Sequence, residues 1–401
     1  MCSMLFFIIF FCSNNEFLIA GDAYDGYYNL IGTYPDQVDT VYAEDVQGLA
    51  HSGDSWFITK SGDEGAVLYK IPVTQDLGFP FGFNSTTPLT SGLASHGYTK
   101  FKAMDSRKNP TNGLWYILIG VEGSSGAGLA FYDENLNFKG VAKLPKQDAA
   151  GWCAIDNAGK VYSAVNNTSH LNCYEFDWEA LALSGTVPSK LEPVNKINLQ
   201  NANGNPLTMV EYQGGDFTPE GDKLFIVTGF FGVSTSPHGI HVFDVSASSN
   251  TFRRIRKSSQ GGLFKYNYDP GCSVGNFECE EPEGLTFWDL TDGRAPNING
   301  ELHVLLLDND ADTIIVDDDD IYIKHYTKSI YVDSNFKHPT GLPIFTGDPS
   351  SPFKTITDAV NLAFDDMEIR IKGGTYPENI SIFKRLRLVN RSGATDVTIG
   401  K

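Results

Sequence analysis

An all-β chain built from repeated four-stranded units is what this sequence predicts, and three observations support that fold class. Aromatic residues are 12% of the 401 and glycines number 40, a composition that favours pleated strands and tight turns over helices. Short apolar runs recur from about residue 27 to residue 326, bounded by Gly, Asp and Asn turns. The runs fall into units with one internal order: a Gly-flanked strand, a turn such as DNAG or TPEG, an apolar strand, then a strand ending in a phrase like YKI, FYD or VFD. Units of roughly 40–70 residues, each of four strands that cannot bury both faces alone, make a β-propeller. A β-sandwich array would not repeat this turn chemistry.

The elements follow in chain order. Met4 to Cys12 is an apolar run too short to span a bilayer, so 1–23 reads as a signal peptide cleaved near Ala20 to Ala23, although no Lys or Arg precedes Lys60. The propeller is expected over 24–330. Five units carry the pattern: Gln47 to Val73, Phe101 to Leu136, Gly151 to Trp178, Gln213 to Val245 and Glu283 to Thr327. The last unit lacks a fourth strand, and Tyr28 to Thr33 precedes the first unit unmatched, so an N-terminal strand that closes the ring accounts for both. The count is therefore five blades, with six as the alternative that the span would also allow.

From 331 to 401 the pattern changes. Ser351 is read as the cap of a helix with Pro352 in its first turn and Phe353, Ile356, Val360 and Ala363 along one face. Short alternating strands follow, such as Glu368 to Ile371 and Leu386 to Val389. The phrases SPFKTITDAVNLA and KGGTYPENI resemble the opening of a right-handed parallel β-helix of the pectin-lyase-like superfamily. That resemblance implies a capping helix and roughly two coils, fewer than the three or more repeats a solenoid needs to stand alone.

Cleavage of the leader would remove Cys2 and Cys12 and leave Cys153, Cys173, Cys272 and Cys279, an even number that suits two disulfides in an oxidising compartment. Three pairings are open. Cys153 with Cys173 and Cys272 with Cys279 is preferred because GCSVGNFEC closes a short loop, and four buried thiols are the alternative. Asn84, Asn166, Asn167, Asn379 and Asn390 fit the N-glycosylation sequon. These features together point to a secreted or surface glycoprotein with no transmembrane segment. The net charge of −19 repels phosphate backbones and acidic lipid head groups, so nucleic acid is excluded as a partner.

Candidate chemistry is sparse. GCSVG at Gly271 to Gly275 matches the G-x-S-x-G elbow, but breakers flank Ser273 where a strand and a helix are needed. Asp308, Asp310 and Asp312 take positions one, three and five of a calcium-loop pattern, with Asp319 at twelve, and crowded carboxylates suit Ca²⁺. Thr313 at position six and the flanking strands exclude an EF-hand, which leaves a looser Ca²⁺ site or a solvated acidic turn. The first polar residue of each innermost strand should point into the central channel, which nominates Gln47, His96, Gln213 and Glu283. Here EGLTFWD and QGGDFTPEG resemble phrases of the metal-dependent lactonases related to gluconolactonase and regucalcin. The resemblance implies a metal-ligand role for Glu283, whereas Gln213 and Ala150 stand where that family has ligand Asn and Asp. His51, His241, His303 and His325 fall within strand phrases, at positions usually packed.

The leading expectation is a secreted or cell-surface protein whose propeller binds a glycan or an extracellular protein, with the β-helix as stalk or second binding surface. The alternative is a polysaccharide-active lyase or hydrolase, or a lactonase-like hydrolase.

Overall fold

The computed structural model describes residues 28–36, 38–62, 65–229, 238–259, 264, 266, 280–308, 319–337, 347, 352–363, 367–391 and 396–400. The expected leader at 1–23 lies outside them. Among the described residues the chain is nearly all β, arranged in propeller-type antiparallel sheets.

β1 spans Asn29–Thr33. The first sheet is a meander of β2 (Val46–His51), β3 (Ser55–Lys60), β4 (Val67–Pro72) and β5 (Asn84–Thr86). The second is β6 (Tyr98–Lys108), β7 (Trp115–Gly123), β8 (Gly126–Asp133) and β9 (Phe138–Lys143). Next come β10 (Ala154–Ile155), β11 (Val161–Ser163), β12 (His170–Tyr174) and β13 (Asn195–Gln200), then β14 (Tyr212–Phe217), β15 (Lys223–Thr228), β16 (Gly239–Ser248) and β17 (Thr251–Lys257). Parallel pairing of β13 with β17 at their outer edges joins these two meanders into one sheet. The last set is β18 (Glu280–Phe287), β19 (Leu302–Asp308) and β20 (Asp320–Thr327), with β1 antiparallel on its outer edge from Asn29 opposite Thr327 to Thr33 opposite Lys324. Tyr34 N–H donates to Ile323 O at 2.9 Å and continues that closure.

The core lies between successive sheets rather than inside any one of them. Leu49, Trp56 and Ile71 of the first sheet pack against Leu305, Leu307 and Ile323 of the last. Phe57 and Leu68 meet Phe101, Ile117 and Tyr132, and Leu118 and Phe131 meet Val161 and Tyr174. Tyr162 and Leu171 meet Phe217 and Phe243, and Phe225 and Val242 meet Phe287 and Val304. A strand buried on both faces carries apolar residues on both, which is why Trp56 to Ile58 and Val304 to Leu307 are unbroken apolar runs, with polar groups confined mainly to the strand ends. Burial of each large side chain contributes about 1.5–3 kcal/mol, so the stability is spread over all the interlayers.

The inner strands touch one another directly. β2 neighbours β6 and β18, β18 neighbours β14, and β10 lies between β6 and β14. Glycine permits that approach: a Cβ on Gly284 would lie 2.8 Å from Leu49 N, one on Gly214 2.8 Å from Gly284 Cα, and one on Gly48 2.8 Å from Ala103 Cα.

Beyond β20 the pairing becomes parallel. β21 (Ser329–Val332), β22 (Glu368–Ile371) and β24 (Arg387–Asn390) stack in register, Ile330 on Ile369 on Leu388, and β23 (Gly374–Tyr376) pairs with β25 (Val397–Ile399). Of the helices α1 (Pro88–Ser91), α2 (Trp178–Ser184) and α3 (Ile356–Leu362), the last covers these coils with Ile356, Ala359 and Val360 against Ile330, Ile369 and Ile371. The helix starts later than the sequence suggests. Thr355 is the cap, its hydroxyl accepting from Asp358 N–H at 3.1 Å, while Phe353 N–H donates to Tyr331 O at 2.8 Å and so belongs to a strand-like bridge. Strand pairing claims Phe353 before the helix can.

Arg370 ties the two regions together. Its Nη2 donates to Asp289 Oδ2 and Glu301 Oε1, both at 3.2 Å, and its Nε to Glu368 at 2.6 Å.

Candidate functional site

The starts of the inner strands converge on one mouth of the central channel. A cavity of about 410 Å³ is lined there by Gln47 of β2, Lys102 of β6, Gln213 of β14, and Glu281 and Glu283 of β18, with Asp45, Glu122, Asn166 and Glu211 around its rim. The local backbone explains the convergence. Strand register slips between Val46 and Gly48, between Tyr212 and Gly214, and between Pro282 and Gly284, so Gln47, Gln213 and Glu283 are each the extra residue of a β-bulge. A wider slip between Phe101 and Met104 contains Lys102. A bulge turns a side chain out of the ladder, here toward the axis, and the small residue after it lets the next strand close in.

The side chains form one polar network. Gln213 Nε2 donates to Glu281 Oε1 at 2.7 Å and to Glu283 Oε1 at 3.3 Å, while Lys102 Nζ donates to Gln47 Oε1 at 2.8 Å. Glu281 and Glu283 are buried. Burial pushes the Glu281 carboxyl up to about 7, with Lys102 and Gln213 pulling the other way. Burial, and then the charge of Glu281, raise Glu283 well above the usual carboxylate range. The pair therefore holds a proton near neutrality, so it can donate a hydrogen bond as well as accept one.

The opposite mouth is built differently. A cavity of about 290 Å³ there is lined by His51, Asp105, Arg107, Trp115, Asp216 and Phe287 among others. Asp105 accepts from Ser106 N–H and Ile155 N–H, both at 2.6 Å, and Asp216 accepts from Phe287 N–H at 2.9 Å. Each carboxyl thus bridges to the inner strand of the next sheet. Burial raises Asp105, aided by the charge of Asp216, and burial lifts Asp216 to about 7.

No family model matches the chain, and no curated protein sequence matches it. Among solved structures it is similar to a putative exo-beta-1,3-galactanase from Bifidobacterium bifidum, at 10% identity and TM-score 0.40, over 75% of this chain and 96% of that one. It is similar also to the periplasmic gluconolactonase of Pseudomonas aeruginosa, at 11% identity and TM-score 0.31, over 66% of each chain. A third is the tail fiber of Staphylococcus aureus phage P68, at 12% identity and TM-score 0.40, over 74% of this chain and 52% of that one.

Of the residues nominated from sequence, Gln47, Gln213 and Glu283 meet in the first cavity and His96 does not. His96 is exposed on a 3-10 turn, Leu93–His96, with its ring against Phe138, because Gly92 and Gly97 turn the chain before β6 begins. Lys102 takes the inner-strand place instead. Glu281 was missed, although its position two residues before Glu283, across a proline and a bulge, is a readable signal.

The Cys153 to Cys173 disulfide is also corrected: both thiols are free and buried. Cys153 packs between the second and third sheets and Cys173 in the layer beyond, so the sheet itself separates them. Cys272, Cys279 and Ser273 lie outside the described residues, as do Asp310 and Asp312. Asp308 ends β19 and accepts from Tyr322 OH at 3.0 Å, and Asp319 accepts from Asp45 N–H at 2.9 Å. Among the described residues no group of three or more His, Cys, Asp or Glu is placed to hold a metal ion. Asn84, Asn166, Asn379 and Asn390 are exposed, and Asn166 already bonds Glu211 at 2.9 Å and receives Tyr212 N–H. No helix among the described residues is long and apolar enough to cross a membrane.

Proposed function

We propose that the chain is a secreted or cell-surface binding protein that takes a glycan at the Gln213 mouth of a five-bladed propeller occupying about residues 24–330. Residues 331–401 are read as the opening coils of a right-handed parallel β-helix that serves as a stalk. The five-blade count is supported by the closed succession of β2, β6, β10, β14 and β18 around the axis. The parallel stacking of β21, β22 and β24 under a capping helix supports the second.

One observation carries the functional reading. Bulges on separate inner strands deliver Gln47, Lys102, Gln213 and Glu283 into one cavity, where Glu281 joins them from the regular part of β18. A sugar presents paired hydroxyls, each needing a donor and an acceptor, and a mixed amide and carboxyl lining supplies both. The test is a glycan array followed by calorimetry on the best hit, with Gln213→Ala and Lys102→Met alongside. Loss of binding in both variants is expected; a parent protein that binds no glycan overturns the reading.

The upward shift of the adjacent Glu281 and Glu283 carboxyls favours a second reading, hydrolysis of a glycosidic or ester bond with one carboxyl as acid and the other as base. Release of reducing sugar, abolished by Glu283→Gln with binding retained, would select this reading over simple recognition.

A further inference from the structure

The last sheet contains a buried histidine pair that the site above does not use. His303 on β19 and His325 on β20 face each other across the ladder, with Nδ1 to Nδ1 at 2.7 Å. The remaining ring nitrogens are also engaged: His303 Nε2 is 2.8 Å from Trp288 O, and His325 Nε2 is 2.7 Å from Tyr34 O. Both rings are almost fully buried.

Carbonyl oxygens only accept, so each Nε2 must carry a hydrogen, and the contact between the two Nδ1 atoms needs one more. Three short contacts require three hydrogens. Two neutral imidazoles have only two, and any arrangement of those two leaves lone pairs facing each other across one contact. We propose that this pair is a proton-dependent clasp: the closed arrangement is an imidazolium bonded to a neutral imidazole, and loss of the shared proton releases one of its three contacts.

Its position decides what the clasp controls. Tyr34 follows β1, the strand that closes the ring, and Trp288 follows β18, whose bulge holds Glu283. The segment around Tyr34 otherwise adds few hydrogen bonds to β20, chiefly Tyr34 N–H to Ile323 O and Ile323 N–H to Pro35 O at 3.1 Å. The contact to Tyr34 O is therefore the one that gives way.

The surroundings set the direction. On β18 the residue opposite His303 is the uncharged Thr286, and on β1 the residue opposite His325 is Gly32. His51 on β2 is the titratable group that acts on His303, and Lys324 is the charged neighbour of His325 along β20. Tyr34 has its own hydroxyl bonded to Asp76. The edge of the pair meets an aromatic ring, Trp56 against His303 at 5.2 Å and 83°. Burial holds both imidazoles below their ordinary range, His325 at about 4, and no carboxylate among the described residues is placed against the pair to retain the proton, so the clasp closes only in acid and opens as pH rises through that range.

The experiment uses the full chain. Nitrogen-15 spectra of labelled histidine should show three ring N–H signals for the pair at about pH 3.5, one of them far downfield, and two at about pH 6. Hydrogen exchange, corrected for its intrinsic pH dependence, should show the Tyr34 amide losing roughly tenfold protection over that range, the effect of about one buried hydrogen bond. His325→Phe should abolish the change. Two ring N–H signals at every pH, or a Tyr34 amide whose protection in the parent protein ignores pH, overturns the proposal whether or not the variant folds.

Discussion

The two mouths of the channel use the same residue types to opposite ends. At one, Glu281 and Glu283 are bonded to side chains, to Gln213 and to each other, and open onto a cavity. At the other, Asp105 and Asp216 are bonded to backbone N–H groups of the neighbouring inner strands. Burial raises all four carboxyls, so a raised pKa alone does not separate a binding group from a strut. The partner separates them. A carboxyl that holds a backbone amide is committed to the fold, whereas one that holds a mobile amide side chain can exchange it for a ligand hydroxyl.

Four changes test that contrast, in falling order of effect. Asp105→Ala should cost about 4 kcal/mol in chemical denaturation, because two backbone N–H groups lose their acceptor, and should leave affinity at the other mouth unchanged in the surviving folded fraction. An equal loss of affinity would show that the two mouths are coupled.

The pH dependence comes next. Folded Glu281 keeps its proton until about 7, while an unfolded Glu releases it near 4.5. In that window the folded state binds more protons, so stability falls as pH rises from 5 to 8, by about 3 kcal/mol for this group at about 1.4 kcal/mol per pKa unit. Glu281→Gln should flatten that slope in urea titrations at several pH values. An unchanged slope would assign it to the other raised carboxyls, Glu283, Asp105 and Asp216.

Gly284→Ala should follow at about 2 kcal/mol, since the new methyl meets Leu49 N, a backbone atom that cannot swing aside. The shift in melting temperature measures it, and a neutral result would mean that the inner strands stand farther apart. Smallest is Lys102→Met, expected to change stability by less than about 0.5 kcal/mol, as substitutions of polar groups at a solvated cavity usually do. Its effect should appear in ligand affinity alone.

Legibility differed between the regions for physical reasons. Gln47, Gln213 and Glu283 were readable because each stands before a glycine at the head of a repeated unit, and a repeat makes equivalent positions comparable. Lys102 followed the same rule, since FKAMD aligns with VQGLA and YQGGD, but Ala103 in the glycine place hid it. Glu281 was obscured by Pro282 and the bulge, which put two carboxyls on one side of a strand that strict alternation also allows but does not single out. His96 was misread because proximity along the chain to β6 does not place a residue in its pleat. The pairing of Cys153 with Cys173 failed because spacing carries no information about which face of a sheet a thiol occupies.

By itself, then, the amino-acid sequence determined the all-β class, the recurring four-stranded unit and the change of pattern near residue 331. Those follow from local chemistry: apolar periodicity, turn residues and glycine at fixed offsets. Only the tertiary structure decided which polar residues share a cavity, which carboxyls hold backbone and which face a ligand, and that His303 and His325 meet. Those depend on bulges, on sheet faces and on which inner strands become neighbours around the axis, and such relations arise between segments far apart in the chain.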